Sequence, residues 1–291
     1  MNSIKQLDSI TINKIAAGEV IDRPSSIVKE LIENALDAKA TQITIEIKDG
    51  GKEYIRISDN GQGIHKDDLP LAPIRHATSK INRLEDIYSI GSFGFRGEAL
   101  SSICHCAQLY ITSKKADAEA YTIHAYQDVI SKPKISSHNN GTTIEVKDLF
   151  HNLPVRQQFL KSAATELSYI TDIITHLCLI NPTIDFIFIN NSKERLNSTG
   201  INDIADLIIL LYGKDLKNKC AKVNFSVGSV TVQGYISDPT ITFSNKTKQV
   251  IAINNRVIKN GLIIKAIQDA FRDLIPQRRF PLAILNIFID Q

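Results

Sequence analysis

The chain has 291 residues, 43% of them hydrophobic and 22% charged, with a formal net charge of +3. This is an ordinary globular composition, long enough for one large domain or two modest ones, and it excludes a chain too polar to bury a core. No apolar run approaches the roughly 20 residues needed to cross a bilayer, and the N-terminal stretch lacks the apolar core of a secretory signal, so a cytoplasmic location and no membrane partner are expected.

The first strong element is a helix over Ser25–Ala38, in "RPSSIVKELIENALDAKA". At about 100° per residue, Ile27, Val28, Leu31, Ile32, Ala35 and Leu36 share one arc, the face that packs on a sheet. Glu30, Asn34 and Asp37 group within about 60° on the opposite side. A solvated polar face would account for them, but Asn34 lowers helix propensity and no basic row matches the three oxygen-bearing side chains. A carboxylate and an amide one turn apart suit a different task. The carboxylate orients and deprotonates a water, and the amide oxygen ligates a hard cation such as Mg²⁺.

Strand patterns follow at Ile43–Lys48 and Tyr54–Ser58, with "DGG" at Asp49–Gly51 as the hairpin turn between them. "ISDNGQGI" then presents Asp59, Gly61 and Gly63 at the end of a strand. Glycines there admit a flat ligand close to the backbone, and the carboxylate can accept from an exocyclic amine such as that of adenine. Taken alone, the segment reads more readily as a simple turn. A helical pattern over Lys66–His76 leads to "RHATSKI", which supplies Lys80. "GSFGFRGEAL" is a glycine-rich loop running into a helix over Gly97–Cys104, and free N–H groups at a helix start suit phosphate. It matches neither the P-loop nor the dinucleotide fingerprint.

The "CHC" of Cys104–Cys106 has no second ligand pair at zinc spacing, so buried free thiols are expected for it and for Cys178 and Cys220. Strands are expected at Gln108–Ser113, Ala120–Tyr126, Thr142–Lys147 and Thr183–Asn190, with a long helix over Thr165–Leu179. "NNGTTIEVKDL" brings Gly141 and the Thr142 hydroxyl to the start of one of these strands. The polar segment "NNSKERLNSTGIND" is the best domain boundary in the chain. Beyond it come a helix near Ile204–Leu211, strands near Ala221–Val227, Val230–Ser237 and Gln249–Asn254, a helix near Leu262–Leu274 and a strand over Leu282–Asp290. Residues 1–200 carry 22 basic against 24 acidic side chains, whereas 201–291 carry 12 against 7 and no glutamate. Such a basic second part can face nucleic acid, with Arg256, Lys259, Arg272, Arg278 and Arg279 as candidate contacts, or be an ordinary solvated surface.

In this order the motifs resemble the ATP-binding fold shared by DNA gyrase, certain chaperones, sensor histidine kinases and MutL. The segments "KIAAGEVIDRPSSIVKELIENALDA", "RHATSKI", "GFRGEALSSI" and "GTTIEVKDLFHNLPVRQQFL" are similar to the mismatch-repair MutL subfamily in particular. The resemblance implies an α+β chain. Residues 1–200 would form a two-layer α/β sandwich that binds ATP, with a mixed, mostly antiparallel sheet and a mobile lid over about 66–98. Residues 201–291 would form a smaller, ribosomal-protein-S5-like second domain, incomplete at its C-terminus. Carried over residue by residue, Glu30 would be the general base and Asn34 the Mg²⁺ ligand. Asp59 would hold the adenine amine with help from Thr142, Gly63 would seat the base, and Lys80 with Gly94, Phe95, Arg96 and Gly97 would take the phosphates. The family further implies homodimerisation on ATP binding, contact with DNA, and work with a mismatch-recognition protein and a downstream repair nuclease or helicase. A second-domain lysine that the family places on the terminal phosphate has no counterpart here, which keeps a non-catalytic ATP-binding scaffold as the alternative.

Overall fold

The structure, a computed structural model, describes residues 21–78, 93–94 and 97–289. Lys80 with the rest of 79–92, and Phe95 and Arg96, all within the expected lid, lie outside the described residues. The chain divides into two compact units, Met1–Ile173 with Phe186–Asn197 and Ile174–Asp185 with Ser198–Gln291. This differs from a single cut at residue 200, because Ile174–Asp185 belongs to the second unit and the chain then returns to the first.

The first unit is built on helix α1 (Pro24–Asp37) and a sheet in which β1 (Gln42–Lys48), β2 (Tyr54–Asp59), β3 (Gln108–Lys114), β4 (Ala120–Tyr126) and β7 (Gly141–Lys147) are the long strands. With β5 (Val129–Ile130), β6 (Lys134–Ser136), β8 (Asp185–Asn190) and β9 (Lys193–Asn197), the order is β5-β4-β3-β7-β2-β1-β8-β9, and β6 pairs with β4. The pairings β1–β2, β2–β7, β7–β3 and β3–β4 are all antiparallel. Alternation explains the layering: Ile43, Ile45, Ile47, Ile55 and Ile57 are buried on one face, while Thr44, Glu46, Arg56 and Ser58 take the other. Helix α1 starts with Pro24 in its first turn, where a missing N–H costs nothing, and buries Ile27, Val28, Leu31, Ile32, Ala35 and Leu36. Burying side chains of this size stabilises by about 1.5–3 kcal/mol for each of the larger ones. Helices α2 (Ala99–Cys106), α3 (Pro154–Phe159) and α4 (Ala163–Ile180) follow in the chain.

The helix expected over Lys66–His76 is absent. The segment runs as turns, with isolated bonds such as Leu69 N–H to the His65 carbonyl at 3.0 Å. Pro70 and Pro73 supply no amide hydrogen and their rings clash with the carbonyl one turn back, so a continuous ladder cannot form. The polar segment after residue 190 also departs from expectation, since Lys193–Asn197 forms edge strand β9. Its charged, mostly exposed side chains conceal a strand from any apolar pattern and suit an edge.

The second unit carries helix α5 (Ile204–Tyr212) and a sheet ordered β10-β11-β14-β12-β13, from Cys220–Val227, Val230–Ser237, Ala283–Ile289, Gln249–Ile253 and Arg256–Ile258 respectively. Strands β12 and β14 run parallel, and the other described pairs are antiparallel. Helix α6 (Gly261–Ala270) packs Ile267 with Phe271, Ile251 and Ala283 into its core. Asn260 caps α6 by accepting the N–H groups of Leu262 and Ile263, a mid-pattern asparagine used as a helix start.

Candidate functional site

The end of α1 is where the separate motifs meet. The Ala38 carbonyl accepts the Gln62 N–H at 3.0 Å, which ties the loop after Asp59 to the helix. One residue earlier, the Asp37 carboxylate accepts the N–H of Phe93 at 2.9 Å and of Gly94 at 3.3 Å, which ties the second glycine loop to the same turn. The His76 N–H in turn reaches the Gly97 carbonyl at 3.2 Å.

Asp59, Thr142 and Ser113 stand side by side on β2, β7 and β3, in the registers Asp59↔Thr142 and Ser113↔Thr142. The Asp59 carboxylate folds back to accept the Gly61 N–H at 2.9 Å, an Asx turn that sets the loop. Burial pushes the Asp59 carboxyl above its ordinary value, against the pull of the Gly61 and Thr142 amides and of His138. The Ser113 hydroxyl donates to the Gly141 carbonyl at 2.9 Å, meets the Thr142 hydroxyl at 2.9 Å and accepts the Ile64 N–H at 2.8 Å. Asn60 accepts the N–H groups of Thr41 and Gln42 at 2.8 and 2.9 Å, closing the loop onto the start of β1.

Two glycines here answer to the protein's own backbone. Gly63 has φ +69°, and a Cβ would lie 2.1 Å from the Lys114 carbonyl oxygen. Gly141 has φ +121°, and its Cβ would lie 2.0 Å from the Asp59 carbonyl oxygen. The requirement for glycine at 63, expected from the seating of a ligand, is already imposed by strand β3.

Along α1, the Glu30 side chain is one-third exposed, and Lys29 Nζ lies 3.9 Å from its Oε1. Glu33 is only 2% exposed and holds the same ammonium at 3.0 Å. The helix therefore does carry a base beside its acids, and the Lys29–Glu33 spacing of four residues was the sequence signal for it. Asn34 sits half-buried one turn after Glu30. Its amide is a hard oxygen donor of the kind Mg²⁺ takes, beside a carboxylate, so the residue types present fit the ion. Asp37, Asn60 and Ser113 were missed as site residues. Asp37 shares the polar face of α1, but its partners are 56 and 57 residues away, and no local pattern marks Asn60 or Ser113.

A polar cavity of about 400 Å³ opens beside Asp59 and Asn60, but Thr44, Arg56, Ser58 and His138 line it. Glu30, Asn34, Gly63 and Thr142 do not, so it opens on the sheet face away from α1. Cys104 and Cys106 are buried on α2, and burial pushes both thiols up to about 12, which leaves them protonated and inert. Cys178 is also buried, whereas Cys220 is only partly so, contrary to expectation. Among the described residues no helix is long and apolar enough to cross a membrane.

Residues 23–157 match the family described as "Histidine kinase-, DNA gyrase B-, and HSP90-like ATPase", and residues 208–291 match "DNA mismatch repair protein, C-terminal domain". A "DNA mismatch repair protein MutL" of Agathobacter rectalis is 42% identical over 98% of this chain. The match covers 44% of that relative, so the chain spans less than half of its length. A solved structure titled "Crystal Structure of N terminal domain of a DNA repair protein" is 30% identical with a TM-score of 0.81, over 96% of this chain and 86% of the other. "Aquifex aeolicus MutL ATPase domain complexed with ADP" is 27% identical with a TM-score of 0.67, over 93% of each chain. With the α1 polar face, the Asp59 loop and the glycine loop gathered at one helix end, the chain belongs to the MutL family of DNA mismatch repair proteins, within its N-terminal ATPase region.

Proposed function

We propose that this chain binds Mg²⁺-ATP and hydrolyses it, and that ATP binding drives dimerisation and DNA engagement in mismatch repair. The observation that carries the reading is the last turn of α1, where Ala38 and Asp37 hold the Asp59 loop and the glycine loop together. In this reading Asp59 accepts the adenine amine, assisted by Thr142, and the base seats over Gly63. Asn34 ligates Mg²⁺, which neutralises phosphate charge when bound. Glu30 takes the proton of the attacking water, and its partial exposure leaves it reachable by solvent. Lys80, Gly94, Phe95, Arg96 and Gly97 belong to phosphate recognition by the same resemblance. Wild-type protein should bind ATP and release phosphate only with Mg²⁺ present. Phosphate release that persisted in excess EDTA, or no binding of ATP at all, would sink the proposal.

Asp59 offers a test that separates binding from folding. Its folded-state carboxyl holds its proton more tightly than the unfolded one, so this group's contribution to native stability is greatest in acid. It falls as pH rises from the ordinary carboxylate value of about 3.9, and the penalty is present in full at neutral pH. Asp59→Asn removes the ionisation. The variant should melt no lower than wild type at neutral pH, with its relative stability improving from about pH 3 upward, yet bind ATP roughly tenfold to a hundredfold more weakly. Parallel melting curves and nucleotide titrations check both halves.

DNA binding, homodimerisation on ATP, a cytoplasmic setting, and service to a mismatch-recognition protein and a repair nuclease or helicase form the rest of the proposal. Arg256, Lys259, Arg272, Arg278 and Arg279 are all exposed. Arg272 is paired with Asp269, and Arg279 donates to the Thr242 carbonyl at 2.6 Å and its hydroxyl at 3.0 Å. Arg256, Lys259 and Arg278 are therefore the better phosphate contacts. Duplex affinity should fall steeply with salt, and Arg256→Ala with Lys259→Ala should flatten the log–log slope by about 1–2. A slope that is flat in the wild type counts against the interface.

A further inference from the structure

At the ends of β2, β7 and β3 the hydrogens of three neighbouring polar side chains can be assigned. Asp59 stands beside Thr142, and Thr142 beside Ser113. Two residues from them along their strands lie Ile57, Ile144 and Ile111, all buried, so the three polar side chains take the same inward face of the sheet. Ser113 is 1% exposed and Thr142 6%. A serine hydroxyl has one hydrogen to give and two lone pairs to receive, and at Ser113 all three are committed. A carbonyl cannot donate, so the hydrogen goes to the Gly141 carbonyl oxygen at 2.9 Å. One lone pair takes the Ile64 N–H at 2.8 Å. The other meets the Thr142 hydroxyl at 2.9 Å, and with the Ser113 hydrogen already placed, that bond is donated by Thr142. The Thr142 oxygen is left with lone pairs alone. Asp59 beside it is an acceptor as well, its carboxylate taking the N–H groups of Gly61 and Thr142.

We propose that Ser113 is a positioning residue for base recognition: by receiving the Thr142 hydrogen it fixes that hydroxyl as an acceptor, so that Asp59 and Thr142 together select a purine with an exocyclic amine over one with a carbonyl at the same place. This rests on the ATP-binding reading above and deepens it. The adenine amine carries two hydrogens and suits a pair of acceptors. A 6-oxo purine sets an acceptor against acceptors, and a buried site penalises polar groups left unmatched. An untethered threonine hydroxyl would rotate and donate to that carbonyl, which would erase part of the discrimination. Ser113 prevents the rotation, and through Ile64 and Gly141 it joins the same hydroxyl to the loop after Gly63 and to the start of β7.

The test titrates ADP and its 6-oxo counterpart, inosine diphosphate, into the full chain by calorimetry. The two ligands share their sugar and phosphates, so their affinity ratio reports on the base alone. Wild type should prefer ADP by about a hundredfold or more. Ser113→Ala should cut that preference roughly tenfold, partly through tighter binding of the inosine nucleotide, whereas Ser113→Thr keeps the hydroxyl and should hold the preference within about threefold. Thr142→Val removes the acceptor and should narrow the preference too, and it carries the test should Ser113→Ala not fold. Adding Ser113→Ala to Thr142→Val should change the ratio no further, because the hydrogen that Ser113 controls is gone. Three outcomes overturn the inference: a wild type that binds ADP without preference, an equal loss for both nucleotides in Ser113→Ala, which marks a merely structural serine, or an unchanged preference in Thr142→Val. If the wild type binds neither nucleotide, the ATP-binding reading itself fails, and this inference with it.

Discussion

Glu30→Ala is expected to lower ATP turnover by roughly 10²–10⁴-fold while nucleotide affinity stays within about threefold of wild type. The side chain is one-third exposed, and its charged neighbour Lys29 keeps Glu33 as a closer partner, at 3.0 Å against 3.9 Å. Truncation therefore strands no buried charge, and the melting temperature should hardly change. The loss belongs to the chemical step alone. Glu33→Ala is the informative contrast. That carboxylate is 2% exposed and anchors Lys29, so its removal should cost about 1–3 kcal/mol of stability with a much smaller change in turnover per folded molecule. Phosphate-release rates and melting curves on the two variants separate the roles. A Glu30→Ala protein with undiminished turnover would remove the general base from the proposal, and a folded but dead Glu33→Ala protein would move the role to its neighbour.

Gly141→Ala should be the most damaging single methyl in the first unit. At φ +121° an L side chain is strained, and the added Cβ would stand 2.0 Å from the Asp59 carbonyl oxygen, so strands β2 and β7 must separate there. Strain and lost pairing together should cost about 3 kcal/mol or more, which for a unit of this size lowers the melting temperature by roughly 6–12 °C. The separation occurs beside Asp59, Thr142 and Ser113, so ATP affinity should fall with stability. Gly200→Ala is the control: its φ is +79°, but nothing lies within 4 Å of a Cβ. Only the conformational cost remains, about 1 kcal/mol. Equal losses in the two variants would show that the clash at Gly141 is relieved by a small shift and that β2–β7 packing is looser than described.

What the sequence determined by itself was whatever repeats with a period or sits at a fixed offset. The buried face of α1 followed from residues at helical spacing, and the isoleucines of β1 and β2 followed from strict alternation, because burial of apolar area acts on every second or every third to fourth residue. The positions of Glu30, Asn34, Asp59 and Thr142 on their elements were legible for the same reason. The prolines at 70 and 73 were also legible, and weighing them would have removed the expected helix there. Other features are long-range and left no local trace. Asp37 grips Phe93 and Gly94, Ser113 joins Ile64, Gly141 and Thr142, and Gly63 is glycine because the Lys114 carbonyl passes 2.1 Å from where its Cβ would be. The last two depend on which backbone groups the sheet order β3-β7-β2 brings together, and the first on where that loop meets the end of α1. A hydrogen bond or a steric contact has a range of only a few ångströms, so such partners are decided by tertiary structure and not by neighbours in the chain.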